Sequence, residues 1–415
     1  MVYKTKKYKL ADLGFLGRGK SKHRPRNDIS LFGGKYPFIQ TGEIKAANLY
    51  ISEYEKTYNE KGLAQSKLWN ENTLCITIAA NIAETAILKI KACFPDSIVG
   101  FIANENLCNV YYVKYYIDYI KNKMQSVSGG ACQDNLSLDK IDYFDINIPD
   151  VKIQNKIAKI LLNYDDLIEN NNRRIKILEE MAQKIYKEWF VDFKFPGHET
   201  TTFKDSPLGK IPNDWEVKLF SDYFDIQNGF AFKSKDYSNN GVKIIRTKDF
   251  ASTKYINITD PIFLPNQLKS KYETYMLQEY DFLLIMVGAS IGKYGIVLKK
   301  DMPSLQNQNM WALRPKNNYI YLKNYSIFMF ENLIKKVLSF ATGAAREFFR
   351  KEHFNNQRII VPNSRVLNLF NQITNDILNE ISNLYTKNEN LKQTRDILLP
   401  RLITGEINVE NMEVL

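Results

Sequence analysis

Gly14-Phe15-Leu16-Gly17-Arg18-Gly19-Lys20-Ser21 satisfies the expression G-x4-G-K-[ST], which in nucleotide-binding loops cradles phosphate on backbone amides. That chemistry needs a helix directly after the serine, whose first-turn amides point at the phosphate. Here Ser21 is followed by Lys22-His23-Arg24-Pro25-Arg26-Asn27, which cannot start a long helix. No apolar strand ending in aspartate stands ready to hold magnesium. Nucleotide binding is therefore not expected. The segment reads instead as a flexible basic loop, since residues 1–26 hold nine Lys/Arg against one Asp. Lys4, Lys6, Lys7, Arg18, Lys20, Lys22, Arg24 and Arg26 suit the phosphates or base edges of a nucleic acid.

Similar chemistry recurs further along. Asn228-Gly229-Phe230-Ala231-Phe232-Lys233-Ser234-Lys235 mixes glycine, aromatics and the cations Lys233 and Lys235. The turn Gly288-Ala289-Ser290-Ile291-Gly292-Lys293 offers Lys293, and the run Gln306-Asn307-Gln308-Asn309 offers Gln306 and Gln308. Gln40 and Thr41 correspond to Arg246 and Thr247, with Lys248 following. Gln133 and Asn135 lie after Ser128-Gly129-Gly130, and Arg346 falls at the position of Gln133. Gln, Asn and Arg make bidentate contacts with adenine or guanine edges, so these are candidate DNA-binding residues.

Catalytic constellations are not found. There is no N-P-P-[YFW] or D-P-P-[YFW] tetrapeptide for base methylation, and no glycine-rich S-adenosylmethionine loop after a strand. No Ser-His-Asp or Cys-His ordering can be built around His23, His198 and His353, which are also too scattered for a metal cluster. Cysteines 75, 93, 108 and 132 form no C-x-x-C pair and read as reduced, mostly buried thiols of a cytoplasmic protein. Neither a secretory signal nor an apolar run long enough to span a membrane is expected.

The elements that must position these residues appear twice. Pro149 against Pro362 sets an offset of 213, which carries Ile157, Tyr164, Asn171, Leu178 and Ile185 onto Phe370, Ile377, Leu384, Leu391 and Leu398. Upstream, Phe38-Ile39-Gln40-Thr41 matches Ile244-Ile245-Arg246-Thr247. Each copy reads as an α/β lobe of short strands and one helix, at Val110–Met124 in the first and Leu322–Phe340 in the second. A heptad-patterned helix then follows each lobe. Its first copy shows a second register, Ile153, Ile160, Leu167, Arg174 and Met181, and Val366 and Ile373 accompany the second copy. Such stripes predict a coiled coil in which Ile157, Tyr164, Leu178, Ile185, Phe370, Ile377, Leu384, Leu391 and Leu398 pack. Antiparallel pairing follows from the two-fold relation between the copies.

The expected division is a first lobe at 1–150, a helix at 151–195, a linker at 196–214, a second lobe at 215–363, a second helix at 364–405 and a tail at 406–415. The formal charge of +11 sits mainly in the lobes: residues 1–150 carry 20 basic and 16 acidic side chains, residues 198–365 carry 24 and 16, and residues 366–415 carry 4 and 7. A phosphate polymer is the leading partner.

The chain resembles specificity (S) subunits of type I restriction-modification systems over essentially its whole length. The resemblance rests on Ala131-Cys132-Gln133-Asp134-Asn135-Leu136-Ser137 before Ile148-Pro149, on Trp189-Phe190-Val191-Asp192-Phe193, on Leu208-Gly209-Lys210-Ile211-Pro212-Asn213-Asp214-Trp215, and on Leu398-Leu399-Pro400-Arg401-Leu402-Ile403-Thr404-Gly405-Glu406-Ile407. In the second copy Arg346-Glu347-Phe348-Phe349 replaces the Gln-x-Asn-Leu passage. The resemblance implies two target-recognition domains, each contacting one half of a bipartite double-stranded DNA target, separated by two antiparallel helices. It also implies docking of methyltransferase (M) subunits, two per chain, and of motor-nuclease (R) subunits. No cofactor is then expected on this chain; S-adenosylmethionine would belong to M, and ATP with magnesium to R. The alternatives are a stand-alone methyltransferase or nuclease, and a coiled-coil adaptor without DNA binding.

Overall fold

The structure is a computed structural model. It describes residues 3–79, 81–128, 138–250, 254–341 and 348–412, so Gln133, Asn135 and Arg346 lie outside the described residues. The chain forms two compact units. One holds Met1–Asn170 with Asn390–Leu415, and the other holds Asn171–Glu389.

In the first unit, Gly14–Arg18 is a strand rather than part of a flexible loop, paired antiparallel with Ile98–Ala103. Its glycine serves that pairing: a Cβ on Gly14 would lie 2.1 Å from the Ile102 carbonyl oxygen. Ile98–Ala103 continues to Leu74–Thr77, then Thr85–Leu88, then Tyr50–Ile51, which completes a five-stranded sheet. Alternate residues face opposite sides of a strand. Leu74, Ile76 and Ile87 accordingly pack with Tyr112 and Val113 of the helix Val110–Ser128, while Cys75, Ala86 and Leu88 pack with Trp69 and Phe94. In a second sheet Phe32–Phe38 lies between Lys56–Tyr58, antiparallel, and Ala92–Cys93, parallel. A two-stranded ribbon joins Lys6–Tyr8 to Ile146–Ile148.

The second unit repeats this plan. Phe224–Asn228, Met310–Pro315, Phe282–Ile285 and Tyr294–Ile296 follow one another in a four-stranded sheet. Val242–Ile245 lies between Phe263–Leu264, antiparallel, and Ser304–Gln306, parallel. Glu216–Leu219 pairs with Arg358–Val361, and the helix Lys323–Ala341 covers the sheet through Phe330 and Leu333. Part of the segment expected to be a turn-rich linker is a hairpin, Phe203–Ser206 with Gly209–Pro212, turned by Gly209 at φ +94°.

The two long helices are Val151–Tyr186, continued by a wider turn over Lys187–Val191, and Ser364–Ile403. The second runs through Pro400 and ends at Ile403, close to the expected end at 405; the Pro400 carbonyl accepts from the Thr404 amide at 2.9 Å. In the first unit Ile157 and Leu161 share a core with Leu402 and Ile403, and Arg395 pairs with Asp165. In the second, Asn171 meets Asn388 at 2.8 Å, Arg174 meets Glu380 at 2.6 Å, and the Tyr186 and Phe370 rings lie 6.4 Å apart. Rising numbers on one helix meet falling numbers on the other, so the helix segments pair antiparallel within each unit.

The stripe on the first helix departs from the expected register Ile153, Ile160, Leu167, Arg174, Met181. Ile153 is buried, but Leu167 is 51% exposed and Met181 48%. The buried heptad set is Gln154, Leu161, Ile168, Ile175 and Ala182, one residue further along. Gln154 can stay in the core because its amide is satisfied: it donates to the Leu107 and Pro149 carbonyls and accepts from the Asn109 amide. On the other register Ile157, Phe370, Ile377 and Leu384 are buried, and Tyr164, Leu178, Ile185, Leu391 and Leu398 are partly buried. Ile373 is 41% exposed, unlike its expected partner Val366.

Candidate nucleic-acid interface

The glycine-rich segment of the first unit leaves its strand at Arg18 and runs out at the sheet edge. The Gly19 amide donates to Ile98 and the Lys20 amide to Phe94, which anchors the loop at its root. Arg18, Lys20, Lys22, Arg24 and Arg26 are exposed. Arg24 is turned back onto the Ser21 and His23 carbonyls, at 2.6 and 2.9 Å, and Arg26 pairs with Asp96 at 2.8 Å. The Ser30 amide, aided by the His23 ring at 2.7 Å, holds the half-exposed Asp28 carboxyl down to about 2. Lys4, Lys6 and Lys7 are also exposed, with Lys6 and Lys7 on the separate ribbon, where Lys7 pairs with Asp145 at 2.6 Å.

Sequence reasoning missed Lys67 on this surface. Lys67 Nζ lies 3.6 Å from the centre of the Trp69 ring and 4.5 Å from that of Phe15, which is 53% exposed. Burial, with the nearby charge of Lys20, lowers the Lys67 pKa below the usual lysine range. The signal was present as Lys67-x-Trp69, since residues two apart share a strand face. An ammonium over aromatic rings, near the charge of Lys20, has the chemistry to meet a phosphate, and the exposed Phe15 ring that to meet a base.

Gln40 and Thr41 stand half exposed at the start of the short helix Thr41–Ala46, where the Gln40 amide donates to Glu43 Oε2 at 3.2 Å. With Ser21, Arg26, Phe38 and Lys56 they line a cavity of about 160 Å³. Lys56, like Lys67, was not singled out in the sequence; its Nζ lies 5.6 Å from the centre of the Phe32 ring.

In the second unit, backbone hydrogen bonds identify the counterparts. The Phe230 amide donates to Gln306 as Lys20 does to Phe94, and the Arg246 amide donates to Asp249 as Gln40 does to Glu43. The side chains differ. Arg246 donates to the Asp260 carbonyl and lies 3.8 Å from the Asp249 carboxylate, and Lys248 also pairs with Asp260. Burial raises the Asp249 pKa, against the pull of the Arg246 amide. Phe230, Phe232, Tyr272 and Tyr275 form a contiguous ring cluster. Lys233, Lys235, Lys293 and Gln308 are exposed. Gln306 is not available to a base: it is fully buried, and its amide donates to the Gln227 and Met310 carbonyls. Its side chain works inside the protein, which corrects its place among the candidate contacts.

Among the described residues no group of three or more His, Cys, Asp or Glu could hold a metal ion, and no helix is long and apolar enough to cross a membrane. Cys75, Cys93 and Cys108 are buried free thiols; burial pushes Cys108 up to about 11.

A duplicated α/β lobe, cationic at equivalent loops and followed each time by a long helix, defines a two-headed recognition protein. Comparison with known proteins supplies the family. The model for the type I restriction modification DNA specificity domain matches twice, over residues 4–180 and 212–396, and the chain belongs to that family. It is similar to the MjaIX specificity subunit of Methanocaldococcus jannaschii, 25% identical over 97% of this chain and 94% of that protein. The MjaVIII specificity subunit of the same organism is 25% identical over 91% and 88%. An S subunit structure from M. genitalium shares the fold with a TM-score of 0.56 at 14% identity, covering 97% of this chain and 96% of that one. The role of the chain is thus that of a specificity subunit, the DNA-recognition component of a type I restriction-modification system rather than its catalytic part.

Proposed function

We propose that each unit reads one half of an asymmetric, bipartite double-stranded DNA target, and that the two long helices dock M subunits and set the gap between half-sites. The observation that carries the asymmetry is one fold bearing different chemistry at matched loops. An uncharged Gln40 side chain stands where the Arg246 guanidinium lies between Asp249 and Asp260, and Lys20 stands where Phe230 does. A scaffold that holds its backbone constant and changes its loop side chains changes which bases it prefers.

Docking of M subunits is supported by apolar side chains left outside the helix pairs: Leu167 in the first unit, and Ile177 and Met181 in the second. Two M subunits per chain would match the duplication. R subunits would complete the nuclease, with S-adenosylmethionine on M and ATP with magnesium on R.

Methylome sequencing of cells carrying the system, before and after residues 1–148 are exchanged for the matching lobe of a relative, tests this reading. One half-site is expected to change while the other stays. If both changed, or neither did, the lobes would not be independent readers.

A further inference from the structure

We propose that the cavity beside Gln40 in the first unit receives a single unstacked nucleobase of its half-site, while the second unit reads its half-site without such a pocket. This deepens the DNA-recognition reading and rests on it.

The pocket has the chemistry of a base site. Phe38 belongs to an aromatic wall whose rings lie close together, Phe38 to Tyr58 at 4.2 Å and Phe32 to Phe38 at 5.9 Å. A planar base gains from packing against such a wall whatever its sequence identity. Polar groups supply discrimination. Ser21 is only 5% exposed, and its Oγ has no hydrogen-bond partner among the described residues. An orphaned buried hydroxyl costs free energy unless something completes it, so a donor or acceptor arriving in the cavity would do so. The Gln40 amide presents a donor and an acceptor side by side, the pattern that pairs with an adenine edge. Arg26 and Lys56 stand at the cavity among its lining residues, where the phosphates flanking an extruded nucleotide would run. At about 160 Å³ the space suits one base, not a stack.

Backbone positions here are fixed tightly enough for the role. Gly19 roots the loop, and a Cβ there would lie 2.3 Å from both the Phe94 and Pro95 carbonyl oxygens. Gly229 holds the matching place in the second unit, 1.7 Å from the Asn307 oxygen by the same construction. Beyond that shared root the units diverge. Ala231 takes the position of Ser21, removing the hydroxyl, and Phe232 follows it into a cluster with Val242, Ile244 and Leu305. Tyr272 closes on Phe232 with ring centres 5.2 Å apart. Arg246, at the position of Gln40, is turned onto acidic residues. Where Lys22 is exposed in the first unit, Phe232 is buried against apolar neighbours in the second.

The test uses the chain assembled with its M subunits and duplexes of the target found by methylome sequencing. The fluorescent base 2-aminopurine replaces each base of both half-sites in turn, and binding is read separately by gel shift. A base leaving the stack brightens the probe. One position in one half-site, other than the base that becomes methylated, is expected to brighten several-fold. Ser21→Leu, which fills the cavity, should abolish that signal. Gln40→Ala, at a half-exposed site that leaves the core intact, should lower preference at the same base pair roughly ten- to a hundred-fold. Tight, specific binding with no brightening beyond the methylated base would overturn the pocket and leave the recognition reading standing. Retained brightening in both variants would also overturn it. Failure to bind any duplex specifically would overturn the recognition reading and the pocket together.

Discussion

Asp165 is fully buried, and its charge is held by three groups from three parts of the first unit. The Tyr115 hydroxyl donates at 2.5 Å, the Asn48 amide at 3.0 Å, and Arg395 forms an ion pair with it. Removing one member of a buried pair leaves the other charged and desolvated, which costs more than the pair is worth. Asp165→Leu should therefore destabilise the first unit by about 3–5 kcal/mol, and adding Arg395→Leu should restore much of that. Urea unfolding of the three variants measures it; a single-variant loss below about 1 kcal/mol would make the pair a surface-like contact. The second unit sets a pH dependence. Glu179 is raised above the usual carboxylate range chiefly by burial, with Glu331 and Glu180 adding to the effect and Lys254 and the Tyr255 hydroxyl opposing it. Tyr294 and Tyr385 are raised by burial with Glu179 as a lesser cause. A carboxyl raised in the folded state costs stability once pH climbs past its unfolded value, and that cost is absent in acid. Glu179→Gln should thus raise the melting temperature at neutral pH, with the gain fading as pH falls below the ordinary glutamate range. A gain that grew in acid would mean the carboxylate is stabilising.

The helices carry a second polar layer, Asn171 against Asn388, with Asn388 also donating to Asn172 at 2.9 Å. The offset of 213 places this layer opposite an apolar twin, since it relates Asn171 to Leu384 and Asn388 to Ile175, both buried. Asn171→Leu alone strands a buried amide and should cost about 1–3 kcal/mol. Leucine at both positions should be neutral or stabilising, at the expense of whatever register the asparagines enforce. Thermal unfolding separates the cases, and a double variant as damaged as the single one would assign the layer a packing role. The same contrast explains what was readable beforehand. The stripe Phe370, Ile377, Leu384 was visible because its core positions are apolar. The first helix was read one residue out of phase because Gln154 and Asp165 occupy core positions and are satisfied only by contacts from distant segments. The short buried strand Leu74–Thr77 has the apolar run expected of a strand, whereas Gly14–Arg18 does not: its glycines and arginine signal a loop until the Ile98–Ala103 strand lies beside it. The candidate site fared similarly. Its exposed cations follow from composition, but Lys56, Lys67 and the burial of Gln306 depend on neighbours far away in the chain.

Both long helices pass from one compact unit to the other, after Asn170 and before Asn390. The 36 residues of Val151–Tyr186 span about 54 Å at about 1.5 Å per residue, more than the roughly 34 Å of one turn of B-DNA. If helix length sets the gap between half-sites, lengthening both helices in register should lengthen the gap. Seven residues inserted after Asn170 and seven after Glu389 preserve the heptad phase and add about 10 Å, close to three base pairs at about 3.4 Å each. The modified sites should then show the same two half-sites separated by about three more base pairs. A matched three-residue insertion should fail instead, because it turns the following side chains by roughly 60° away from the stripe and breaks the packing of Ile175 and Leu384. Methylome sequencing reads both outcomes directly. An unchanged gap with the seven-residue insertions would move the ruler from these helices to the other subunits of the system.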